Sequence, residues 1–220
     1  MDVETIWRTI DAERASLAGL VEDLAPSEWE TPSLCEAWRV GDVATHLTQA
    51  HMGLWDAAVA GIRAGGSFDR MIRDSALRAR GRSPQECAAR LRAMVGSRRM
   101  APFLRPVQPL LDVLVHGQDI AVPLGRTRPM PPEASAAAAR AAWATSFPFG
   151  ARRRLAGYRL IADDADLTLG EGPAPAHGPA GAVLLLLTGR TATALQRLEG
   201  DGALELAAAT GRRDGTRRTT

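Results

Sequence analysis

The sequence contains no lysine, two cysteines and a single tyrosine among its 220 residues. All 27 basic residues are therefore arginine, and together with 25 acidic residues they leave a net charge of only +2. The absence of lysine beside abundant alanine and glycine is typical of a GC-rich coding sequence and carries no functional meaning. The basic excess is confined to the C-terminal tail, so the composition does not favour nucleic acid as a partner.

Long apolar runs and disulfide frameworks are also absent. The apolar run Val183–Leu187 is far shorter than the roughly 18 residues that a membrane span requires. Cys35 and Cys87 are too few for a disulfide scaffold, and no Cys-x-x-Cys zinc pattern occurs. The N-terminus, Met1-Asp2-Val3-Glu4, lacks the basic and apolar segments of a secretory signal. We therefore expect a cytoplasmic protein without membrane association.

The apolar content of 45% is enough to bury a core, and its spacing in the first half is helical. Apolar residues recur three and four positions apart, and a serine, a proline and a glutamate at 83, 84 and 86 form a helix start. The pattern predicts a four-helix bundle and then a connecting helix. The predicted helices are Val3–Leu24, Val40–Arg63, Ser83–Arg99, Val107–Val122 and Pro131–Phe147, with a mobile or partly helical connection over 67–82.

The pattern changes near residue 155, where alternation predicts two strands, Tyr158–Ala162 and Asp166–Leu169. Helices over Gly178–Leu187 and up to Leu198 and a last strand, Ala203–Ala207, complete a small module. We therefore predict an α+β fold that is mainly helical. Its domains are a bundle with connecting helix over 1–150, an α+β domain over 151–210 and a disordered basic tail over 211–220.

A polar stripe interrupts the otherwise apolar helix around His116. Asp112 and His116 are four residues apart and project side by side, which suits one divalent metal inside a bundle. The alternative is a solvated Asp–His pair. His46 and His51 both lie on the second predicted helix, and periodicity does not decide which of them faces this stripe.

Three segments of the chain carry a family pattern. Residues 29–47 read WETPSLCEAWRVGDVATHL and include His46, and residues 112–125 read DVLVHGQDIAVPLG and include Asp112 and His116. These two segments resemble the two metal motifs of the mycothiol-dependent maleylpyruvate isomerase family of actinobacteria, the second of which is acid-x-x-x-His-Gly-x-Asp-Ile, and the N-terminal domain of that family is a DinB-like bundle. Residues 178–190 and 198–202 are similar to the family's small sterol-carrier-like C-terminal domain.

The resemblance implies a metal site formed by His46, Asp112 and His116. The isomerase of the family has glutamate where this chain has Asp112, which is one methylene shorter. Two imidazoles and a carboxylate suit Zn²⁺ with an open coordination position, with Ni²⁺ or Fe²⁺ as alternatives. The resemblance further implies mycothiol as a cosubstrate, whose thiolate adds to a cis double bond, permits rotation and is then eliminated.

Other residues have alternative interpretations. Arg190 either stabilises a helix end or grips a carboxylate substrate, and we assign it the catalytic role. Asp119 either orients His116 or stabilises the helix end, and Cys35 is expected to pack against Trp38. The leading hypothesis is a metal-dependent enzyme, monomer or homodimer, that uses mycothiol for isomerisation or S-transfer on a small electrophile. The alternative is a non-catalytic protein that binds metal or a hydrophobic ligand.

Overall fold

The structure is a computed structural model that describes residues 1–49, 81–100 and 104–217. Within these residues the chain forms ten helices and a three-stranded sheet, which confirms the predicted α+β class with mainly helical content. The chain divides into two compact units, Asp2–Pro129 and a second unit that begins at Met130. None of the described helices is long and apolar enough to cross a membrane.

The N-terminal unit contains five described helices. Two begin at side-chain caps: Asp2 Oδ1 accepts a hydrogen bond from Thr5 N at 2.8 Å, and Ser83 Oγ accepts one from Glu86 N at 3.1 Å. The Glu86 carboxylate in turn accepts a hydrogen bond from Ser83 N at 3.0 Å, which completes the capping box at this helix start. The helices are α1 (Val3–Glu22), α2 (Pro26–Trp29), α3 (Val40–Leu47), α4 (Pro84–Ala93) and α5 (Val107–Ala121).

The core of this unit lies between four of these helices, because α1 packs against α4 and α5 while α3 also packs against both. Each helix contributes one apolar face, as the sequence spacing predicts. The buried core residues include Leu17, Val21, Val40, Val43, Leu47, Leu91, Val113 and Ile120. The second helix was predicted to extend to Arg63. In the structure Val40–Leu47 is helical and 48–49 form a turn, whereas residues 50–63, with His51, and most of the 67–82 connection lie outside the described residues.

The C-terminal unit combines helices with the sheet. Strand β1 pairs antiparallel with β2, with Leu160 opposite Leu169, and parallel with β3, with Leu160 opposite Ala176. Helix α8 is buried along its whole length and packs against α6 and β1. The elements are α6 (Pro132–Ala144), α7 (Ala151–Arg154), β1 (Tyr158–Ala162), β2 (Thr168–Leu169), β3 (Ala174–Gly178), α8 (Ala180–Leu187), α9 (Thr191–Leu195) and α10 (Asp201–Arg217).

Two predictions for this unit are wrong. The segment Ala203–Ala207 is part of helix α10 and not a strand, because its alanine, leucine and glutamate residues are strong helix formers. The same helix continues to Arg217, so residues 211–217 are helical and not a disordered tail. The third strand is β3, which the sequence conceals because Pro175 is untypical of a strand; β3 lies at the sheet edge, where proline is tolerated.

The position of helix α6 also differs from the expected domain organisation. We expected the alanine-rich connecting helix to belong with a bundle that ends near residue 150. In the structure α6 lies in the C-terminal unit, where its small side chains pack against α8, and the division falls between Pro129 and Met130. Six alanine and serine residues of α6 are buried, which allows this close approach to an apolar helix.

Candidate metal centre

Helices α3 and α5 bring together the three residues that the family resemblance implies as metal ligands. His46 lies in the last turn of α3, and Asp112 and His116 lie one turn apart on α5. Their side chains are 14%, 13% and 17% exposed, so each is largely enclosed by the bundle. The pairing of α3 with α5 therefore places His46 beside the stripe predicted from the Asp112–His116 spacing.

The distances between these side chains suit a tetrahedral ion. Asp112 Oδ1 lies 3.5 Å from His46 Nε2 and 3.5 Å from His116 Nε2. Ligand atoms held about 2.0–2.2 Å from a tetrahedral Zn²⁺ lie roughly 3.4 Å from one another. The ligand atoms of all three residues lie within 4.8 Å of one another, and the two imidazole rings meet edge to face. Two imidazoles and a carboxylate are also the donor set of known zinc enzymes with an open position.

The electrostatics of the cluster favour a charged carboxylate. Burial disfavours the Asp112 anion, but the hydrogen bond with His46 and the charges of His116 and Arg14 outweigh it, so the Asp112 pKa is lowered. Burial also opposes charge on His116, but its hydrogen bond with Asp119, the nearby Cys35 and the charge of Asp112 outweigh that effect and raise the His116 pKa to about 10. The metal-free cluster is therefore an ion pair, and a metal ion must displace a proton from His116.

Asp119 binds the ring nitrogen of His116 that faces away from Asp112. Its Oδ2 lies 2.7 Å from His116 Nδ1 and 3.1 Å from Cys35 Sγ, which donates to it. These two separations are hydrogen-bond distances, shorter than the spacing of two ligands on one tetrahedral ion. Because an ionised carboxylate only accepts, His116 Nδ1 donates and Nε2 is the nitrogen available to a metal.

Trp38 packs against both histidines. The centroid of its ring lies 5.3 Å from that of the His46 ring, which it meets edge to face. It lies 6.5 Å from the centroid of the His116 ring, on which it is stacked. The indole is 8% exposed, so it shields one side of the cluster from water. Trp38 is held by a tight loop in which Trp38 N donates to Cys35 O at 3.0 Å and Ala37 has a φ of +64°.

The start of α3 depends on a glycine. A Cβ on Gly41 would lie 2.4 Å from Trp29 Cε2, so the Trp29 ring rests directly on the helix backbone. Arg39 N donates to Asp42 Oδ2 at 3.0 Å, which satisfies one of the free N–H groups at this end. The WETPSLCEAWRVGDVATHL signature is thus a packing unit that fixes the helix on which His46 lies.

A second glycine, Gly117, lies beside His116. A Cβ there would approach Arg128 Nε to 2.7 Å. Arg128 is 7% exposed along its side chain and donates to the carboxylate of Glu13 and, at 2.9 Å, to Ser16 Oγ on α1. The glycine of the second motif therefore leaves room for Arg128, whose ion pair with Glu13 joins α1 to the segment that follows α5.

The sequence did not single out Arg14. It occupies the inward face of α1 between Ile10 and Leu17, and it is 4% exposed. Its Nη1 donates to Met94 O at 2.9 Å and to Ser97 O at 3.3 Å. Burial lowers the pKa of Arg14, and its charge contributes to the lowered pKa of Asp112. The sequence did contain a signal that could have identified Arg14: it is an arginine at a position where the helical period favours an apolar residue.

The remaining candidate residues lie away from this cluster or in the other unit. Cys87 is fully buried, its Sγ 3.7 Å from Thr45 Oγ1, and burial raises its pKa. Arg190 precedes α9 in the C-terminal unit, where its Nη1 donates to Thr188 O at 2.7 Å. His177 lies on β3 with its side chain 42% exposed. Its Nδ1 lies 3.4 Å from Asp163 Oδ2.

Comparison with known proteins agrees with this architecture. The family model of the mycothiol maleylpyruvate isomerase N-terminal domain matches residues 10–108. A crystal structure of a histidine-to-alanine mutant of the mycothiol-dependent maleylpyruvate isomerase aligns with a TM-score of 0.60 at 11% identity, covering 92% of this chain and 94% of that chain. A second structure of that isomerase aligns with a TM-score of 0.55 at 12% identity, covering 86% and 90%. No curated protein matches the sequence.

The similarity to solved structures and the family match support different conclusions. At 11% and 12% identity the solved structures show the fold, whereas the family match covers His46 and ends before Asp112. Residues 10–108 therefore match the mycothiol maleylpyruvate isomerase N-terminal domain family, and the chain has the fold of that isomerase.

Proposed function

We propose that this protein is an enzyme that holds one divalent metal ion through His46, Asp112 and His116. It uses mycothiol as a cosubstrate to isomerise, or transfer a thiol to, a small electrophile. The observation that carries the proposal is the convergence of two imidazole nitrogens on Asp112 Oδ1 at 3.5 Å each. The relation to the isomerase family supports the choice of thiol. Zn²⁺ is the preferred ion for this donor set, with Ni²⁺ or Fe²⁺ as alternatives.

The charge of the donor set suits thiol chemistry. A bound divalent ion would lower the pKa of a thiol placed at its open position, so that the thiol reacts as a thiolate near neutral pH. Asp112 is the single carboxylate among the three donors, so the loaded site keeps a net positive charge that favours an anion. Trp38 excludes water from one side, which strengthens that attraction because the local dielectric constant is lower.

The protein's own thiols are poor candidates for the nucleophile. Cys87 is fully buried and its pKa is raised by burial, which disfavours the reactive thiolate. Cys35 donates its S–H to Asp119, whose Oδ2 also bonds His116. A thiol supplied in solution is therefore the better nucleophile.

The first experiment measures metal content. We expect about one equivalent in the purified protein, identified by mass spectrometry, and loss of most of it in His46→Ala and in His116→Ala. His177→Ala is the matched control, because this histidine lies on β3 of the C-terminal unit and should not change the metal content. Full retention of metal in both ligand variants would refute the assignment.

Substitution of Asp112 tests the carboxylate. Asp112→Glu should keep the metal, because the longer side chain restores the glutamate of the family pattern. Asp112→Asn should bind metal more weakly, because the neutral amide does not offset the charge of the cation. Equal metal affinity of the Asn variant and the parent protein would mean that Asp112 is not a ligand.

Turnover distinguishes the enzyme from a non-catalytic binder. The metal-loaded protein should isomerise a cis-unsaturated keto acid such as maleylpyruvate, or form a thioether with another electrophile, only when mycothiol is present. We further propose that Arg190 binds a carboxylate of the substrate. Arg190→Ala should then raise KM without changing metal content, whereas Arg197→Ala, an exposed arginine two residues after α9, should not. Metal binding without any thiol-dependent turnover would favour the non-catalytic alternative.

A further inference from the structure

A second cluster adjoins the metal ligands on the far side of His116. Asp119 Oδ2 is shared by two donors, His116 Nδ1 at 2.7 Å and Cys35 Sγ at 3.1 Å. The two donors are themselves 3.8 Å apart. Asp119 is fully buried, so bulk water does not compete for its oxygens. Cys35 is thus in contact with the group that orients a proposed ligand.

The backbone fixes the thiol in this position. Cys35 N donates to Ser33 Oγ at 3.1 Å, and Cys35 O accepts from Trp38 N at 3.0 Å. The preceding residue, Leu34, donates its N–H to the backbone oxygen of Asp119 at 3.3 Å. The loop therefore docks on the backbone of Asp119 as well as on its carboxylate, and this keeps the Cys35 backbone beside Asp119.

We propose that Cys35 is a positioning residue that moderates the bond between Asp119 and His116 and so sets the metal affinity. A carboxylate that accepts a hydrogen bond from Nδ1–H makes Nε2 a more basic, stronger ligand. A second donor on the same oxygen withdraws electron density from it and weakens that effect. The inference rests on the proposed function, because it requires the metal at His116 Nε2.

Substitutions at the two positions should act in opposite directions. Asp119→Asn should weaken Zn²⁺ binding about 10–100-fold, because the charge that strengthens His116 is lost. Cys35→Ala should tighten Zn²⁺ binding about threefold, because a donor that competes with His116 for Asp119 Oδ2 is removed. Cys35→Ser keeps a donor and should stay within about twofold of the parent protein. Competition with a chromophoric chelator measures each dissociation constant on the full chain.

Two further measurements separate this role from a packing role. In the Asp119→Asn background Cys35→Ala should no longer tighten binding, because the two effects pass through the same carboxylate. The ¹⁵N and ¹H shifts of His116 Nδ1–H should move downfield in Cys35→Ala, which reports a stronger bond to Asp119. Cys87→Ala is the matched control, because that thiol contacts Thr45 and not the cluster.

The outcomes separate failure of this inference from failure of the proposed function. Unchanged or weaker Zn²⁺ binding in Cys35→Ala, or the same tightening in the Asp119→Asn background, overturns the role of Cys35 while the metal site stands. Retention of metal by both His46→Ala and His116→Ala overturns the metal site itself. Thermal unfolding of each variant identifies a folding defect. If Cys35→Ala has such a defect, the Zn²⁺ affinity of Cys35→Ser and its His116 Nδ1–H shifts decide the proposal instead.

Discussion

Two helical glycines of the N-terminal unit differ in what a methyl group would meet. A Cβ at Gly19 in α1 would have no atom within 4 Å, whereas a Cβ at Gly41 in α3 would lie 2.4 Å from Trp29 Cε2 and 2.8 Å from Trp29 Cδ2. Ordinary van der Waals contact requires about 3.5 Å, so the Trp29 ring must move by roughly 1 Å in Gly41→Ala. The two alanine variants therefore test the packing that fixes the helix of His46.

The free energies follow from two opposing effects. Alanine in place of glycine stabilises a helix by about 0.8–1 kcal/mol, and Gly19→Ala should gain close to that amount. Gly41→Ala gains at most the same propensity but adds overpacking, which costs about 1–3 kcal/mol. We therefore expect Gly41→Ala to be less stable than Gly19→Ala by about 1–3 kcal/mol.

The assay is urea unfolding followed by circular dichroism and tryptophan fluorescence, with the two probes compared because the chain has two units. Trp29→Ala should remove most of the penalty, so that Gly41→Ala in that background is close to neutral or stabilising. Equal stabilisation by Gly19→Ala and Gly41→Ala in the parent protein would show that Trp29 does not rest on Gly41 and would refute the reasoning.

Three further predictions concern single groups. Ser135→Ala in α6 should raise the free energy of unfolding by about 1 kcal/mol, because the buried Ser135 Oγ has no hydrogen-bond partner in the structure, and unchanged urea midpoints would contradict this. Ala37→Gly should stabilise by about 0.5–1 kcal/mol, because a φ of +64° costs alanine more than glycine; loss of stability in the same urea assay would argue against that backbone conformation. Zn²⁺ binding should release a proton from His116, whose pKa is raised from 6.5 to about 10. The apparent metal affinity should then rise about tenfold per pH unit until about pH 10, measured by calorimetry in buffers of different ionisation enthalpy. The folding stability of the metal-free protein should change in the opposite direction and fall as the pH rises. The stability that charged His116 contributes is complete below pH 6.5 and is lost as the pH rises through about 10.

Much of the helical architecture could be predicted because its causes are local. The apolar spacing of α1 and the capping box at Ser83 involve residues within a few positions of one another. The side-by-side placement of Asp112 and His116 follows from the helical period alone, since residues four apart share a face. The sequence therefore determined two of the three residues of the candidate metal centre before any tertiary contact was known.

The strands show the limit of local inference. The antiparallel β1–β2 pair was within reach because its members are close in sequence and alternate in character. The parallel β1–β3 pair was not, because Pro175 is untypical of a strand and only the sheet edge makes it acceptable. Likewise, short alternation at Ala203–Ala207 resembled a strand, while helix propensity and packing on β3 made it the start of α10.

The rest of the site was decided by tertiary packing. The contact between Cys35 and Asp119 joins residues 84 positions apart, and the burial of Arg14 depends on carbonyls 80 or more positions away. No periodicity records such partners, because a side chain's hydrogen-bonding groups indicate what it needs but not which segment of the chain will supply it. Only the packing of α3 and the Trp38 loop against α5 brings the Asp112 and Asp119 carboxylates, the Cys35 thiol and the two imidazoles into one cluster around His116.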